Sequence, residues 1–166
     1  MIDPDWVRLM ARYGAWQNAS LADAADGLGG DARRADRGAF FGSIEGTLNH
    51  LLWGDRMWLK RFGANAAPVQ GSIPDSVRET ANWADYRTQR AATDAAMQDW
   101  AGAVSAEALA GDLTWWSGAA RREVSRPMAL LVTHFFNHAT HHRGQVHAML
   151  TAAGAEPGDT DLFLMP

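Results

Sequence analysis

The chain has 166 residues, of which 47% are hydrophobic, and these values indicate one domain (1–166) with a substantial core. A formal net charge of -4 gives no basic footprint of the kind that nucleic-acid binding needs, and the lack of Cys excludes disulfides and thiolate metal sites. No apolar run approaches the roughly 18 residues of a membrane span, and the acidic N-terminus has no signal-peptide core, so we expect a cytoplasmic protein without nucleic-acid or membrane partners.

The first predicted helix covers residues 4–28. Its apolar side chains recur at spacings of three and four, as on one face of a helix. Asp3 is a candidate N-cap, and the pair Gly29-Gly30 ends the helix. A charged connection follows at residues 31–42.

The second predicted helix begins after Ser43, a candidate N-cap, and extends to about residue 62. A loop rich in Gly and Pro follows at residues 63–74. His50 lies at the margin of the apolar stripe of this helix, and Asp55 lies within the stripe. A polar group at such a position must find a partner when it is buried.

The third predicted helix spans residues 83–104, with a start as early as Asp75 as the alternative. Residues 113–116 and 122–124 flank a Ser-Gly pair, and this pattern predicts a short β-hairpin. Such a hairpin is marginal unless it packs on the helices.

The fourth predicted helix covers residues 126–153, with Ser125 as candidate N-cap and Pro127 in the first turn. His138 and His142 project into its most apolar arc. Four amphipathic helices favour an all-α fold, a four-helix bundle. The connections are long, so winding other than up-down-up-down is allowed, and we expect the tail after Gly154 to pack across the bundle.

The spacing of His138 and His142 indicates a metal site. Residues four apart on a helix have Cβ atoms about 5–6 Å apart, so both imidazoles can reach one cation. His50 is the candidate third ligand from another helix. Three neutral imidazoles suit Zn²⁺ and also accept Ni²⁺, Fe²⁺ or Co²⁺, and three protein ligands leave a coordination position open, as in catalytic sites.

A simpler interpretation is that these are histidines at the edge of the core, hydrogen-bonded to the backbone or to each other. A His-x-x-x-His pair without an adjacent Glu is a weak motif with no general base. His141 and His147 are predicted to lie nearer the solvent and to have ordinary surface roles.

Asp55 and Gln145 are candidates to orient the imidazoles, with Asn49 or Asn137 as weaker ones. The alternative for Asp55 is an ion pair with a neighbouring helix, through Arg90 or Arg143. Arg143 is itself a candidate to hold an anionic substrate group, or equally to form a structural salt bridge.

Two segments resemble the signatures of the DinB (damage-inducible, YfiT-like) family: residues 47–58, TLNHLLWGDRMW, and residues 134–145, HFFNHATHHRGQ. Residues 13–18 and 154–157 are similar to the ends of that family, so the likeness covers nearly the whole chain. The His-Arg-Gly-Gln stretch is its most specific part.

The resemblance implies a four-helix bundle with up-down-down-up winding, often dimeric. It also implies one divalent metal, usually zinc or nickel, held by His50, His138 and His142. His134 matches a position that is often His in the family, and we do not expect it to be a primary ligand. Branches of the family are thiol-dependent S-transferases and isomerases, or are regarded as metal-dependent hydrolases.

Three functions compete at this stage. The first is a metal-dependent enzyme, a thiol transferase or hydrolase, acting on a small-molecule substrate as a homodimer with a low-molecular-weight thiol as partner. The lack of a carboxylate beside the ligands weakens simple hydrolysis. The second is a non-catalytic, stress-related metal-binding protein. The third is a bundle that binds a small ligand or a protein partner.

Overall fold

The computed structural model describes residues 2–69, 71–118 and 120–166. Four long helices and a two-stranded antiparallel hairpin make up most of it, as the sequence predicts. The helices are α1 (Pro4–Asp26), α2 (Gly30–Arg34), α3 (Ile44–Arg61), α4 (Trp83–Ala103), α5 (Ala106–Ala110) and α6 (Met128–Ala152), with 3₁₀ turns at Ile73–Arg78 and Leu162–Leu164, and the strands are β1 (Asp112–Ser117) and β2 (Arg122–Pro127).

Two predicted N-caps are confirmed. The side chain of Asp3 accepts a hydrogen bond of 2.8 Å from the backbone N–H of Trp6 at the start of α1. Ser43 accepts one of 3.0 Å from the N–H of Gly46 at the start of α3. Each bond satisfies a backbone donor that the first helical turn leaves unpaired.

The predicted cap of the last helix at Ser125 is wrong. Ser125 belongs to β2, where its hydroxyl lies 3.0 Å from that of Thr114, and Pro127 is the N-cap of α6. Strand β2 therefore runs directly into α6, and Pro127, with φ of -53° and no N–H to leave unpaired, suits the junction.

The alternative start of the third helix at Asp75 is also wrong. That residue belongs to the separate 3₁₀ turn, and α4 begins at Trp83, where Asn82 accepts a hydrogen bond of 3.0 Å from the N–H of Asp85. The short helix α2 lies in the segment predicted as a charged connection, and α5 lies in a segment where the sequence pattern is unclear. Each has five residues, too few to show an amphipathic period.

The long helices wind up, down, down and up in chain order. Helix α1 packs against α4 and α6, and α3 packs against the same two helices. Contacts between α1 and α4 and between α3 and α6 run in opposite residue order, whereas those between α1 and α6 and between α3 and α4 run in the same order. Opposite order is shown by Asp23–Arg87 and Asn18–Asp94 between α1 and α4, and by Trp58–His134 and His50–His142 between α3 and α6. The same order is shown by Trp6–Phe136 and Tyr13–Arg143 between α1 and α6, and by Asp55–Arg90 and Arg56–Thr93 between α3 and α4.

The interior has two apolar clusters with a polar layer between them along the helices. One cluster includes Val7, Leu59, Met97 and Val132, and the other includes Leu21, Leu48, Tyr86 and Val146. Buried polar side chains occupy the intervening turns, namely Asn18, His50, Asp55, Arg56, Arg90, Thr93, His142 and Arg143. Groups buried in this way require partners inside the bundle.

The C-terminal tail, expected to pack across the bundle, instead runs along α1. Tyr13 donates a hydrogen bond of 2.7 Å to the carbonyl of Thr160, and Gln17 donates one of 2.9 Å to that of Asp159. The last apolar side chains are nevertheless turned outward, and Phe163 is 82% exposed. None of the helices in the described ranges is both long and apolar enough to cross a membrane.

Candidate metal centre

His50, His138 and His142 converge in the polar layer. Each offers a ring nitrogen, and these atoms all lie within 4.8 Å of one another. His50 comes from α3, and the other two come from adjacent turns of α6, the antiparallel neighbour of α3. The ring centroid of His142 lies 4.4 Å from that of His138 and 4.8 Å from that of His50. The predicted trio is therefore brought together by the packing of two helices.

The tautomer of His50 is fixed by Ser76. The Ser76 hydroxyl donates a 2.6 Å hydrogen bond to the carbonyl of Ile73, so its oxygen accepts from Nδ1 of His50 at 2.8 Å. With its proton on Nδ1, the ring of His50 has its lone pair on Nε2. A metal-binding imidazole is held by its second nitrogen in this way. The sequence analysis missed Ser76, which comes from a turn 26 residues away and carries no local signal.

Gln145 plays the same part for His142, as the sequence suggested. Its carbonyl oxygen Oε1 lies 2.8 Å from Nδ1 of His142 and accepts the proton there, which leaves the lone pair on Nε2. That Nε2 lies 3.1 Å from Nε2 of His138. Two nitrogens on one tetrahedral zinc, each about 2.0–2.1 Å from the metal, are about 3.3 Å apart, so the spacing fits a shared cation.

The same 3.1 Å contact also fits the simpler interpretation, in which His138 donates a proton to His142. The distinguishing feature is the third ring. Nε2 of His50 carries a lone pair as well, and the rings of Phe41 and Trp53 stack on that of His50. A hydrogen bond between His138 and His142 involves two of the three converging nitrogens, whereas one shared cation would engage all three.

All three imidazoles are neutral at neutral pH. Burial lowers the pKa of His50 from 6.5 to about 3, and His142 and His138 lower it further as potential positive charges. Burial, then His142, lowers the pKa of His138 to about 4. Burial also lowers the pKa of His142, although the bond to Gln145 opposes that shift. Neutral imidazole is the form that binds a metal.

Phe41 packs against two of the three histidines. Its ring stacks on that of His50 with centroids 3.7 Å apart, and its centroid lies 5.4 Å from that of His142. Phe41 also lines a cavity of about 420 Å³ on its other side, between α3 and the 3₁₀ turn. This residue was missed because it lies in a connection without periodicity.

The remaining histidines are peripheral. His134 is exposed, and its ring lies 5.3 Å from that of His138 and 5.5 Å from that of Trp58. It is not a member of the converging group. His141 is exposed, as expected, and His147 is partly buried at a separate cavity.

Asp55 forms a buried ion pair within the polar layer. Its carboxylate accepts a 2.7 Å hydrogen bond from Arg90, which donates a second one of 2.8 Å to Asp94. Burial raises the pKa of Asp55, while the positive charge of Arg90 opposes that shift. Of the two ion pairs that the sequence allowed for Asp55, the structure has the one with Arg90. Asn49 is likewise engaged elsewhere, by Thr80.

The centre thus offers three neutral imidazole nitrogens as ligands. Two of the rings are oriented by hydrogen bonds from Nδ1, that of His50 to Ser76 and that of His142 to Gln145. The group contains no carboxylate among the described residues. Nitrogen donors of this kind suit Zn²⁺ and Ni²⁺. Three protein ligands would leave a position for an exogenous ligand, and the partial exposure of His138 marks the side from which it could enter.

Comparison with known proteins gives a family assignment. The model of the DinB family matches residues 1–166, the full length of the chain. No curated protein and no solved structure gives a significant match.

Proposed function

Since the chain belongs to the DinB family, we propose that it binds one divalent cation through His50, His138 and His142 and uses it in catalysis. Zinc and nickel are the metals that three imidazoles favour. The observation that carries the proposal is the pair of hydrogen bonds, from His50 to Ser76 and from His142 to Gln145, that turn Nε2 of each ring toward the common centre.

We propose transfer of a low-molecular-weight thiol to an electrophilic small molecule as the reaction. Hydrolysis needs a base to deprotonate water, and Asp55, the buried carboxylate of this layer, is committed to Arg90. A bound divalent cation supplies a Lewis acid that lowers the pKa of a thiol coordinated to it.

A non-catalytic metal-binding or small-ligand-binding bundle is the second candidate. The observation that favours it is the position of the cavities. Neither the cavity beside Phe41 nor the one beside Arg143 is lined by any of the three histidines. In the first proposal, the substrate instead approaches from the exposed side of His138.

Metal analysis tests the binding step. We expect about one equivalent of zinc or nickel in the wild-type protein, and loss of most of it in His50→Ala and in His138→Ala. His147→Ala, on the same helix and outside the converging group, is the matched control. Unchanged stoichiometry in both ligand variants would reject the site.

A thiol screen tests the catalytic step. Glutathione, bacillithiol and mycothiol are each combined with electrophilic substrates, and consumption of thiol is followed with metal-loaded protein, metal-depleted protein and His138→Ala. Turnover that needs both the metal and a thiol supports transfer. Metal binding without turnover of any thiol or ester substrate would leave the second candidate.

We also propose a homodimer of single-domain subunits acting in the cytoplasm. Large apolar side chains on the surface support association, and Phe40, Trp116 and Phe163 are 83%, 68% and 82% exposed. Light scattering after size-exclusion chromatography measures the mass in solution, and a monomer at all concentrations would contradict the dimer.

A further inference from the structure

A second cavity, of about 340 Å³, lies between α1, α6 and the C-terminal tail. Tyr13, Gln17, Arg143 and Gly144 line it, and none of the three metal-centre histidines does. Its volume lies at the lower end of the range of roughly 300–1,000 Å³ that is typical of small-molecule sites. The tail carbonyls that bond to Tyr13 and Gln17 hold one wall in place.

Arg143 is a buried cation without a carboxylate partner. Its side chain is 6% exposed, and Nη2 donates a 3.0 Å hydrogen bond to the hydroxyl of Thr140. No carboxylate of the described residues lies within 4.0 Å of the guanidinium, whose carbon atom lies 5.7 Å from the centroid of the Tyr13 ring on the cavity wall. Asp55 attracts Arg143 only from a longer distance, because Arg90 occupies that carboxylate. A buried guanidinium normally has an anion bonded to it.

The other lining groups suit an anion with an apolar part. No Asp or Glu side chain lines the cavity, and Leu21 and Ala148 supply apolar surface. Gly144 faces open space, since a Cβ at that position would meet no atom within 4 Å. The backbone of α6 is therefore accessible to a ligand beside the guanidinium.

We propose that this cavity binds a small organic monoanion, a carboxylate with an apolar body, paired with the guanidinium of Arg143. The planar fork of Arg matches the two oxygens of a carboxylate. Arg143 supplies one positive charge, so one negative charge balances it and a dianion would not be matched. The site is separate from the metal centre, and it does not depend on the function proposed above.

Titration with benzoate and hexanoate, followed by ¹H–¹⁵N NMR, tests the proposal. The titrations use the metal-loaded protein and, in parallel, His50→Ala, so that carboxylate binding to the metal is recognised by its loss in that variant. Arg143→Gln removes the charge, Gly144→Leu fills the cavity while keeping Arg143, and Arg122→Gln removes a charge from the exposed hairpin as the control. Phenyl phosphate and benzyl alcohol serve as the dianionic and neutral probes.

We expect saturable shifts of the Gly144 amide and the Arg143 Nε resonance with at least one of the carboxylates, in both backgrounds. Affinity should fall by at least about tenfold in Arg143→Gln and in Gly144→Leu, and stay unchanged in Arg122→Gln. Absence of saturable binding, or wild-type affinity in both cavity variants, overturns the proposal. Tighter binding of benzyl alcohol or of phenyl phosphate than of benzoate overturns the assignment to a monoanion. Because Gly144→Leu retains the guanidinium, the outcome does not depend on the folding of Arg143→Gln.

Discussion

Ser76 and His50 are joined by a 2.8 Å hydrogen bond between the serine hydroxyl and Nδ1 of the imidazole. The serine lies in the 3₁₀ turn that follows α3, and its own proton is used by the carbonyl of Ile73. The bond therefore has a direction, from His50 to Ser76, and it decides which ring nitrogen faces the other two histidines. The connection between α3 and α4 is in this way part of the candidate metal centre.

Replacing Ser76 by Ala should weaken zinc binding without removing a ligand. Loss of a group that orients a metal-binding imidazole typically costs about 10- to 100-fold in affinity. Competition with a chromophoric chelator measures the dissociation constant. Ser125→Ala, which removes an exposed hydroxyl from β2, is the control and should bind zinc like the wild type. Equal affinity in the two variants would show that Ser76 does not orient the ligand.

Replacing Phe41 by Ala should accelerate the release of zinc to a chelator. The ring of Phe41 stacks on His50 with centroids 3.7 Å apart and shields it from the neighbouring cavity. The adjacent Phe40 is 83% exposed, which makes Phe40→Ala a matched control of the same chemistry. Stopped-flow chelation compares the two rates. A release rate for Phe41→Ala no faster than that for Phe40→Ala would contradict a shielding role.

The metal-free protein should lose stability as the pH falls below 6.5. The pKa values of His50 and His138 are about 3 and about 4 in the folded chain, against 6.5 when unperturbed. Between pH 6.5 and these lowered values, the two imidazoles bind protons in the unfolded chain but not in the folded chain. The free energy of unfolding therefore decreases as the pH falls through this range.

Thermal unfolding between pH 7 and about 5, above the range in which most carboxyl groups titrate, isolates this contribution. His50→Gln should show a shallower dependence than the wild type, since one of the responsible groups is gone. A melting temperature that is constant over this interval would mean that the folded imidazoles titrate normally.

Replacing Asp55 by Asn should destabilise the fold and leave the metal stoichiometry intact. The carboxylate is buried against Arg90 at 2.7 Å, and removing one partner of a buried ion pair typically costs about 3–5 kcal/mol. Asp23→Asn is the control, because the pair of Asp23 with Arg87 is exposed and pairs of that kind contribute about 0–1 kcal/mol. Denaturant unfolding and metal analysis of both variants check the two halves of the prediction. Loss of the metal in folded Asp55→Asn would contradict this prediction and would support a role for Asp55 in orienting the metal ligands.

The long helices and the hairpin follow from sequence patterns because those patterns are local. Apolar periodicity and the caps at Asp3 and Ser43 are contained within one segment, and the structure confirms them. The failure at Ser125 has a physical reason. Whether a serine before a helix serves as its cap depends on the backbone upstream, and here that backbone is paired with β1.

That His138 and His142 share one face of one helix follows from their spacing of four residues, which sets that relation before any packing occurs. The position of Asp55 within an apolar stripe likewise predicted that it needs a partner. The packing of the helices was needed to identify Arg90 as that partner and to bring Ser76 and Phe41 against His50. It likewise decided that Arg143 lies in a cavity without a carboxylate within 4.0 Å among the described residues. These contacts join elements far apart in the chain, and their distances depend on how α3, α4 and α6 pack, which no local pattern encodes.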